Sequence, residues 1–396
     1  MYQITENRYD FNVDDIFVVG KRNNNAKRSF LFISKLLGKH LSVNPEVVKA
    51  SGFLLSSLKY GFDNNQYIDC IKNNATPDYN KYAEDENILV IGFCETATGL
   101  GMAVASSIKG CTYQTTTREK IKNMKKILTF EEAHSHATTH NMFSDLVSLD
   151  KYDKVILVDD EITTGNSLLN LMRQIENVHH MKEYNIMTIL DWRNWEQRDN
   201  FVTFADENQT SVNVYSLISG IINGTDTTIY ENKEVKEIAD FSEPSHLDVF
   251  KRMSIATQDC GITNYVSNSG RFGVYYNDIE EIEKYSEEIA NKLLSQDENK
   301  EIKSVLVLGH GESIYIPSRI AASLQKIGLR VRFKTTSLSP IYCDGEIIHN
   351  VVSFLDKGMR YHYYNNDEFM DYDKVIMFLD TGRIPKLGNN FEAYYI

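Results

Sequence analysis

Residues 155–167 read VILVDDEITTGNS, an apolar run that stops on two adjacent acids and then turns through hydroxyl residues and glycine. The four apolar residues predict a buried strand, and Asp159 and Asp160 fall where the strand's C-terminal end opens into a crevice. Paired carboxylates in that place can accept hydrogen bonds from the vicinal hydroxyls of a ribose. Glu161 continues the acidic run. Thr163, Thr164, Gly165, Asn166 and Ser167 then lead into a helix, whose free N–H groups and dipole hold a phosphate dianion. Gly165 lets the backbone approach that anion closely. One short loop thus carries groups for both a sugar and its phosphate.

The elements that must position this loop follow from the apolar pattern. Residues 87–93 (NILVIGF) and 154–159 predict buried strands. Each precedes a Gly/Thr-rich turn and a helix, beginning near residues 100–108 and over 167–176. A third strand is expected at 185–190. Strands alternating with helices predict a parallel sheet covered on both faces, an α/β fold. Upstream, residues 17–20 read as a short strand. Residues 28–39 (RSFLFISKLLGK) read as an amphipathic helix burying Phe30, Ile33, Leu36 and Leu37. Residues 75–86 read as a polar loop. The weakly patterned stretch 220–243 is the expected boundary between a first domain, 1–230, and a second, 245–396. The second repeats the scheme, with a helix over 278–294, a strand at 303–308, a helix at 316–327 and a strand at 374–379.

The repetition extends to individual residues. Residues 89–107 align without gaps on 306–324, placing Gly92 on Gly309, Glu95 on Glu312 and Thr96 on Ser313. Downstream, YDKVILVDD (152–160) matches YDKVIMFLD (372–380). Two matches in the same order predict a duplicated α/β unit. The second copy is degenerate: Asp159 has become Leu379, Asp160 survives as Asp380, and the TTGNS turn has no counterpart. One such sugar- and phosphate-binding site per chain is therefore expected. The second unit would cap that site, hold the acceptor for its reaction, or form a dimer surface. Its polar positions His310, Glu312, Arg319 and Arg383 suit either a site or a structural role.

Composition narrows the class. The 396 residues are 42% hydrophobic and 24% charged, as in a globular protein of two or three domains. A formal net charge of −13 argues against broad binding to nucleic acid or an anionic membrane. No apolar run reaches the roughly 18–20 residues of a membrane helix. The N-terminus lacks the build of a signal peptide. The five scattered cysteines suit reduced thiols, and a cytoplasmic location is the expectation.

VILVDDEITTGNS resembles the phosphoribosyl pyrophosphate (PRPP) loop of type I phosphoribosyltransferases. The resemblance implies their parallel-sheet fold and a second loop, after an earlier strand, that holds the pyrophosphate. Glu95, Thr96, Ala97, Thr98 and Gly99 fit that position. It also implies a closing loop over the reaction centre, for which TTTREK (115–120) supplies Arg118 as the cation facing the departing pyrophosphate. Mg2+ is the implied cofactor, bound through PRPP and water rather than by direct side-chain ligands. The following cluster FEEAHSHATTH (130–140) has three readings: an acid/base pair from Glu132 and His134, a metal site, or a polar surface loop. Trp192 and Arg193, after the third strand, suit stacking on a flat acceptor, and interdomain packing equally. Lys39, with Lys21, Arg22, Lys35 and His40, lies where this fold's acceptor-binding hood sits.

The whole chain resembles a narrower group, in which a phosphoribosyltransferase domain is followed by a TRSP domain, found in gene clusters of the tellurite-resistance type. FLFISKLLGKH, GFCETATGLG, FEEAHSHAT, LVDDEITTGNS, LDWR, GHGESIYIPSRIA and TTSLSPI carry it. One departure stands out. The Thr-Arg-Ser-Pro run that names the second domain here reads Thr336-Ser337-Leu338-Ser339-Pro340. The resemblance implies transfer of a phosphoribosyl group from PRPP to a base-like small acceptor, in making a nucleoside-like metabolite, by a chain that is also suited to homodimerise. Two other readings stay open: a non-catalytic PRPP or nucleotide sensor, and a nucleotide hydrolase or phosphorylase.

Overall fold

The computed structural model describes residues 2–25, 28–85, 87–131, 139–224, 227–233, 235–258, 261–296 and 302–396. Among these, the larger sheet has seven strands, in the order Tyr2–Asn7, Ser211–Ile222, Glu183–Asp191, Lys154–Ile162, Ile88–Gly92, Thr112–Thr115, Val274–Tyr275. The middle five run parallel, and the two outer strands are antiparallel. Val155–Val158 and Ile88–Ile91 are wholly buried, as continuous apolar strands covered on both faces must be. The strand Lys154–Ile162 runs past its apolar stretch because Glu161 and Ile162 still pair with Leu190 and Asp191.

A smaller five-stranded sheet is ordered Ser245–His246, Phe391–Tyr395, Lys374–Leu379, Ser304–Gly309, Arg330–Thr335, and all its pairings are parallel. The repeat seen in the sequence is a repeat of topology and register. Gly92 pairs with Thr115, and Gly309 with Thr335. Lys154 sits beside Ile88, and Lys374 beside Val305. Helix Ala97–Ala105 follows the first of these strands and helix Tyr315–Lys326 its copy. Each unit also carries two antiparallel hairpins in the same chain order. In the first unit they are Phe17–Lys21 with Phe30–Ser34, and Lys126–Glu131 with Thr139–Phe143. In the second they are Arg252–Thr257 with Gly261–Val266, and Val351–Asp356 with Met359–Tyr364.

The helices between the sheets share one core, in which Leu100 and Val104 join Ile314, Ile316 and Ile320. The polypeptide leaves the larger sheet after Ile222 and pairs with the second unit from Lys236 onward, Lys236 beside Val352.

Residues 28–39 depart from expectation. They form the strand Phe30–Ser34, not a helix. Phe30 and Phe32 enter the main core while Leu31 and Ile33 pack beside Ile341 and Val351, so both faces are buried and the alternation vanishes from the sequence. Among the described residues, no helix is long and apolar enough to cross a membrane.

Candidate active site

The ends of three strands and the first hairpin surround a cavity of about 710 Å³. Asp159, Asp160, Glu161 and Thr163 line it from one side, and Glu95 and Thr96 from another. The apolar strand holds the acids at the sheet's edge. The Asp160 N–H donates to Asp159 Oδ1 at 2.9 Å, and both residues line the cavity. Glu161 turns instead to Arg28, 2.9 Å away, and so ties the acidic strand to the hairpin. Gly165 has φ +80, and a Cβ there would meet the Phe201 ring, so glycine is required to start helix Asn166–Glu176. Thr164, Gly165, Asn166 and Ser167 lie behind Thr163, in the turn and first helical positions rather than in the cavity lining.

The turn after Ile88–Gly92 divides its residues between cavity and packing. Lys39 Nζ donates to Thr96 Oγ1 at 2.5 Å and lies 3.7 Å from Glu95 Oε2. Glu95 is almost fully buried, and its Oε1 has no hydrogen-bond partner. Burial pushes the Glu95 carboxyl above its ordinary pKa, with Lys39 and Arg118 pulling it back. Asp160 is raised by the same cause, again against Lys39. Ala97, Thr98 and Gly99 begin helix Ala97–Ala105 and face the second unit. Thr98 Oγ1 donates to the Glu312 carbonyl at 2.9 Å, and a Cβ on Gly99 would meet Ile314.

Arg118 lines the same cavity, beyond the strand Thr112–Thr115. Glu132 and His134, with His136, lie outside the described residues. His140, from the same motif, is buried, its Nδ1 3.1 Å from Thr116 Oγ1 and its ring stacked on Phe130, so it supports the hairpin rather than the cavity.

Trp192 and Arg193 do not reach the cavity. Trp192 is buried, stacked on Phe32 at 4.6 Å, with Tyr2 and Phe17 around it. Arg193 is held by both Asp191 oxygens at 2.9 Å and lies over the Phe201 ring. Phe32 and Phe93 bring aromatic rings to the cavity, and Trp192 backs Phe32.

Sequence reasoning missed Arg28 and Phe32 because residues 28–39 read as a helix. It also missed the wall supplied by the second unit: Leu338–Pro340 and the hairpin residues Met359, Arg360 and His362. Leu338–Pro340 lie in the stretch that stands in the place of the Thr-Arg-Ser-Pro run, whereas no local motif marks the hairpin residues, and only the fold brings both across to the cavity. Burial lowers the His362 pKa to about 4, and burial with nearby Lys39 lowers that of His40, so both imidazoles on the wall are neutral at pH 7.

Three of the polar positions expected in the second unit, Arg319, His310 and Arg383, make ties away from the cavity lining. Arg319 is fully buried between Glu46 at 2.9 Å and Glu283 at 2.8 Å. His310 bonds Thr336 and Asp356. Arg383 sits over the Phe241 ring and donates to the Leu355 carbonyl.

Adjacent acids at a strand end, a glycine turn into a helix, and a second turn met by Lys39 with Arg118 in the same lining sit together at the edge of a parallel sheet, the arrangement of a phosphoribosyltransferase-like α/β fold. The PRTase_2 family model, described as phosphoribosyl transferase, matches residues 16–221, and the TRSP model, the domain C-terminal to PRTase_2, matches residues 268–390. The chain belongs to the PRTase_2 family. No curated protein matches it. Solved structures that resemble it include adenine phosphoribosyltransferase from Rhodothermus marinus, 12% identical over 52% of this chain and 95% of that one, TM-score 0.31. The enzyme from Trypanosoma brucei, in complex with AMP, pyrophosphate and ribose-5-phosphate, is 13% identical over 58% and 88%, TM-score 0.34. Orotate phosphoribosyltransferase from Francisella tularensis is 9% identical over 48% and 73%, TM-score 0.25.

Proposed function

We propose that the chain transfers the 5-phosphoribosyl group of PRPP to a base-like small acceptor within this cavity. The observation that carries the reading is the convergence of Asp159, Asp160, Thr163, Glu95, Thr96, Lys39 and Arg118 on one cavity. In this reading Asp159 and Asp160 hold the ribose hydroxyls, and the turn Thr163–Ser167 holds the 5-phosphate. Lys39, Thr96 and the N–H groups after Glu95 face the pyrophosphate. Arg118 stabilises the negative charge that builds on it as the bond to C1 breaks. The acceptor lies toward Phe32 and the second unit's wall, where its nucleophilic atom attacks C1. Holding both reactants in one enclosed space removes much of the entropic barrier.

Mg2+ fits this site. Glu95 Oε1 is buried without a partner, and Asp159 and Asp160 add carboxylates nearby, enough to receive water bound to a cation. When bound, magnesium neutralises the pyrophosphate and makes it a better leaving group.

Residues 1–230 form the catalytic unit in this reading, and residues 245–396 the second unit that covers it. The test is incubation of the protein with labelled PRPP, magnesium and a pool of bases or cell extract. Pyrophosphate release that depends on an acceptor is the expected result. Binding that requires Asp159 and Asp160, with no turnover in any extract, would leave the sensor reading in its place.

A further inference from the structure

Several of the contacts between the two units come in matched pairs. The Thr115 N–H donates to the Gly270 carbonyl at 2.9 Å, and the Thr335 N–H to the Gly38 carbonyl at 2.8 Å. Tyr113 pairs with Val274, and Phe333 with Val43. The Lys122 N–H donates to the Ala256 carbonyl at 2.8 Å, and the Tyr342 N–H to the Lys21 carbonyl at 2.8 Å. Ile121 bridges to Thr257, and Ile341 to Arg22. Gly38 and Gly270 both have positive φ, at 71 and 81, and a Cβ on either would strike the ring of Phe333 or Tyr113. Exchanging the units maps each contact onto its partner, which is the signature of a twofold interface.

The same exchange links the two turn glutamates. Glu312 accepts from the Arg118 N–H at 3.0 Å, and Glu95 from the Leu338 N–H at 3.2 Å. Arg118 and Leu338 hold equivalent places after Thr115-Thr116-Thr117 and Thr335-Thr336-Ser337. Glu312 also accepts from the Thr117 hydroxyl at 2.8 Å. On the other side of Arg118, Glu119 bonds Lys357 at 2.9 Å and Tyr265. The second unit therefore holds the Arg118 N–H and the side chains of Thr117 and Glu119 on its two flanks, while Arg118 itself lines the cavity. Its own crevice is closed. Arg271 stands where Lys39 stands in the first unit, directly after the left-handed glycine. It pairs with Glu312 at 3.0 Å and with Asp380, the acid that survives from the cradle.

We infer that the second unit is a retained copy acting as an internal dimer partner, whose Glu312 is a positioning residue that fixes Arg118 over the phosphoribosyl site. The inference rests on the proposed role of Arg118 for its functional half, and on the paired contacts alone for its structural half. Charge serves this role. A carboxylate locked by Arg271 is a stronger acceptor for a backbone N–H than a neutral group.

Hydrogen exchange of the intact chain, with PRPP and magnesium titrated calorimetrically into the same samples, tests both halves. In Glu312→Ala the Arg118 amide should exchange roughly tenfold faster, because a buried N–H loses its acceptor. PRPP should bind about five- to tenfold more weakly, with one site per chain unchanged. Glu312→Gln keeps an acceptor oxygen and should recover most of the protection. Glu95→Ala should speed exchange at Leu338 in the same manner. Unchanged exchange at Arg118 in Glu312→Ala overturns the inference, and so does faster exchange with unaltered PRPP affinity. Should the parent chain bind no PRPP, the functional reading fails, while the exchange at Arg118 and Leu338 still decides the pairing.

Discussion

The two units share topology, register and interface contacts, yet one presents an open crevice and the other a filled one. In the first, Asp159 and Asp160 face a cavity, and the nearby cation is Lys39, 3.7 Å from Glu95. In the second, Asp380 and the equivalent glutamate are joined by Arg271, itself almost fully buried. Two replacements account for much of the difference: leucine for the first acid, and an arginine whose longer fork spans both remaining carboxylates. A binding site and a structural ion pair are therefore near neighbours in sequence. What separates them is whether the protein supplies its own counter-ion or leaves that place for a ligand.

Four changes would break or sharpen this contrast. The largest effect is expected from Asp159→Asn combined with Asp160→Asn. Losing two charge-assisted hydrogen bonds to the ribose should weaken PRPP binding by roughly 10²–10⁴-fold, read by calorimetry. Asp380→Asn, the same position in the closed unit, should act on stability, since it leaves Arg271 short of a partner. A loss of about 3 kcal/mol in urea unfolding is expected. Arg118→Ala should lower kcat about 100-fold with a smaller change in KM for PRPP, measured once an acceptor is in hand.

The smallest effect has the opposite sign. Burial raises the carboxyl pKa values of Glu95 and Asp160 above 4.5 and 3.8, so the folded chain keeps these protons to higher pH than the unfolded chain does. Their contribution to stability is fully present below those ordinary values and is lost as pH rises through the raised ones. Asp160→Asn removes part of that loss. Its Tm should exceed the parent's slightly at pH 7 and match it below the ordinary carboxylate range. The same acid-to-amide change would thus stabilise the open unit and destabilise the closed one.

Much of this contrast was readable before the fold was known. The strand, acid pair and glycine turn of residues 155–167 are local, so their chemistry and secondary structure come from adjacent residues. The repeat was readable for the same reason, since Gly92 and Gly309 both need a close strand–turn approach. Three features were not readable. Phe30–Ser34 is buried on both faces, and its apolar residues fall by chance at helical spacing. Trp192 follows a strand at the ligand edge, but Phe32 covers it, and only the hairpin shows that. Arg271 lies 41 residues from Glu312 and 109 from Asp380, and nothing in its local sequence points to either. Positions set by packing between distant segments leave no periodic trace.

The central claim is one phosphoribosyl site per chain, built by the first unit. Calorimetric titration of PRPP with magnesium into the intact protein tests it most directly. The expected result is one PRPP per chain, abolished by Asp159→Asn with Asp160→Asn. Two PRPP per chain, or binding that survives the loss of both acids, would contradict it.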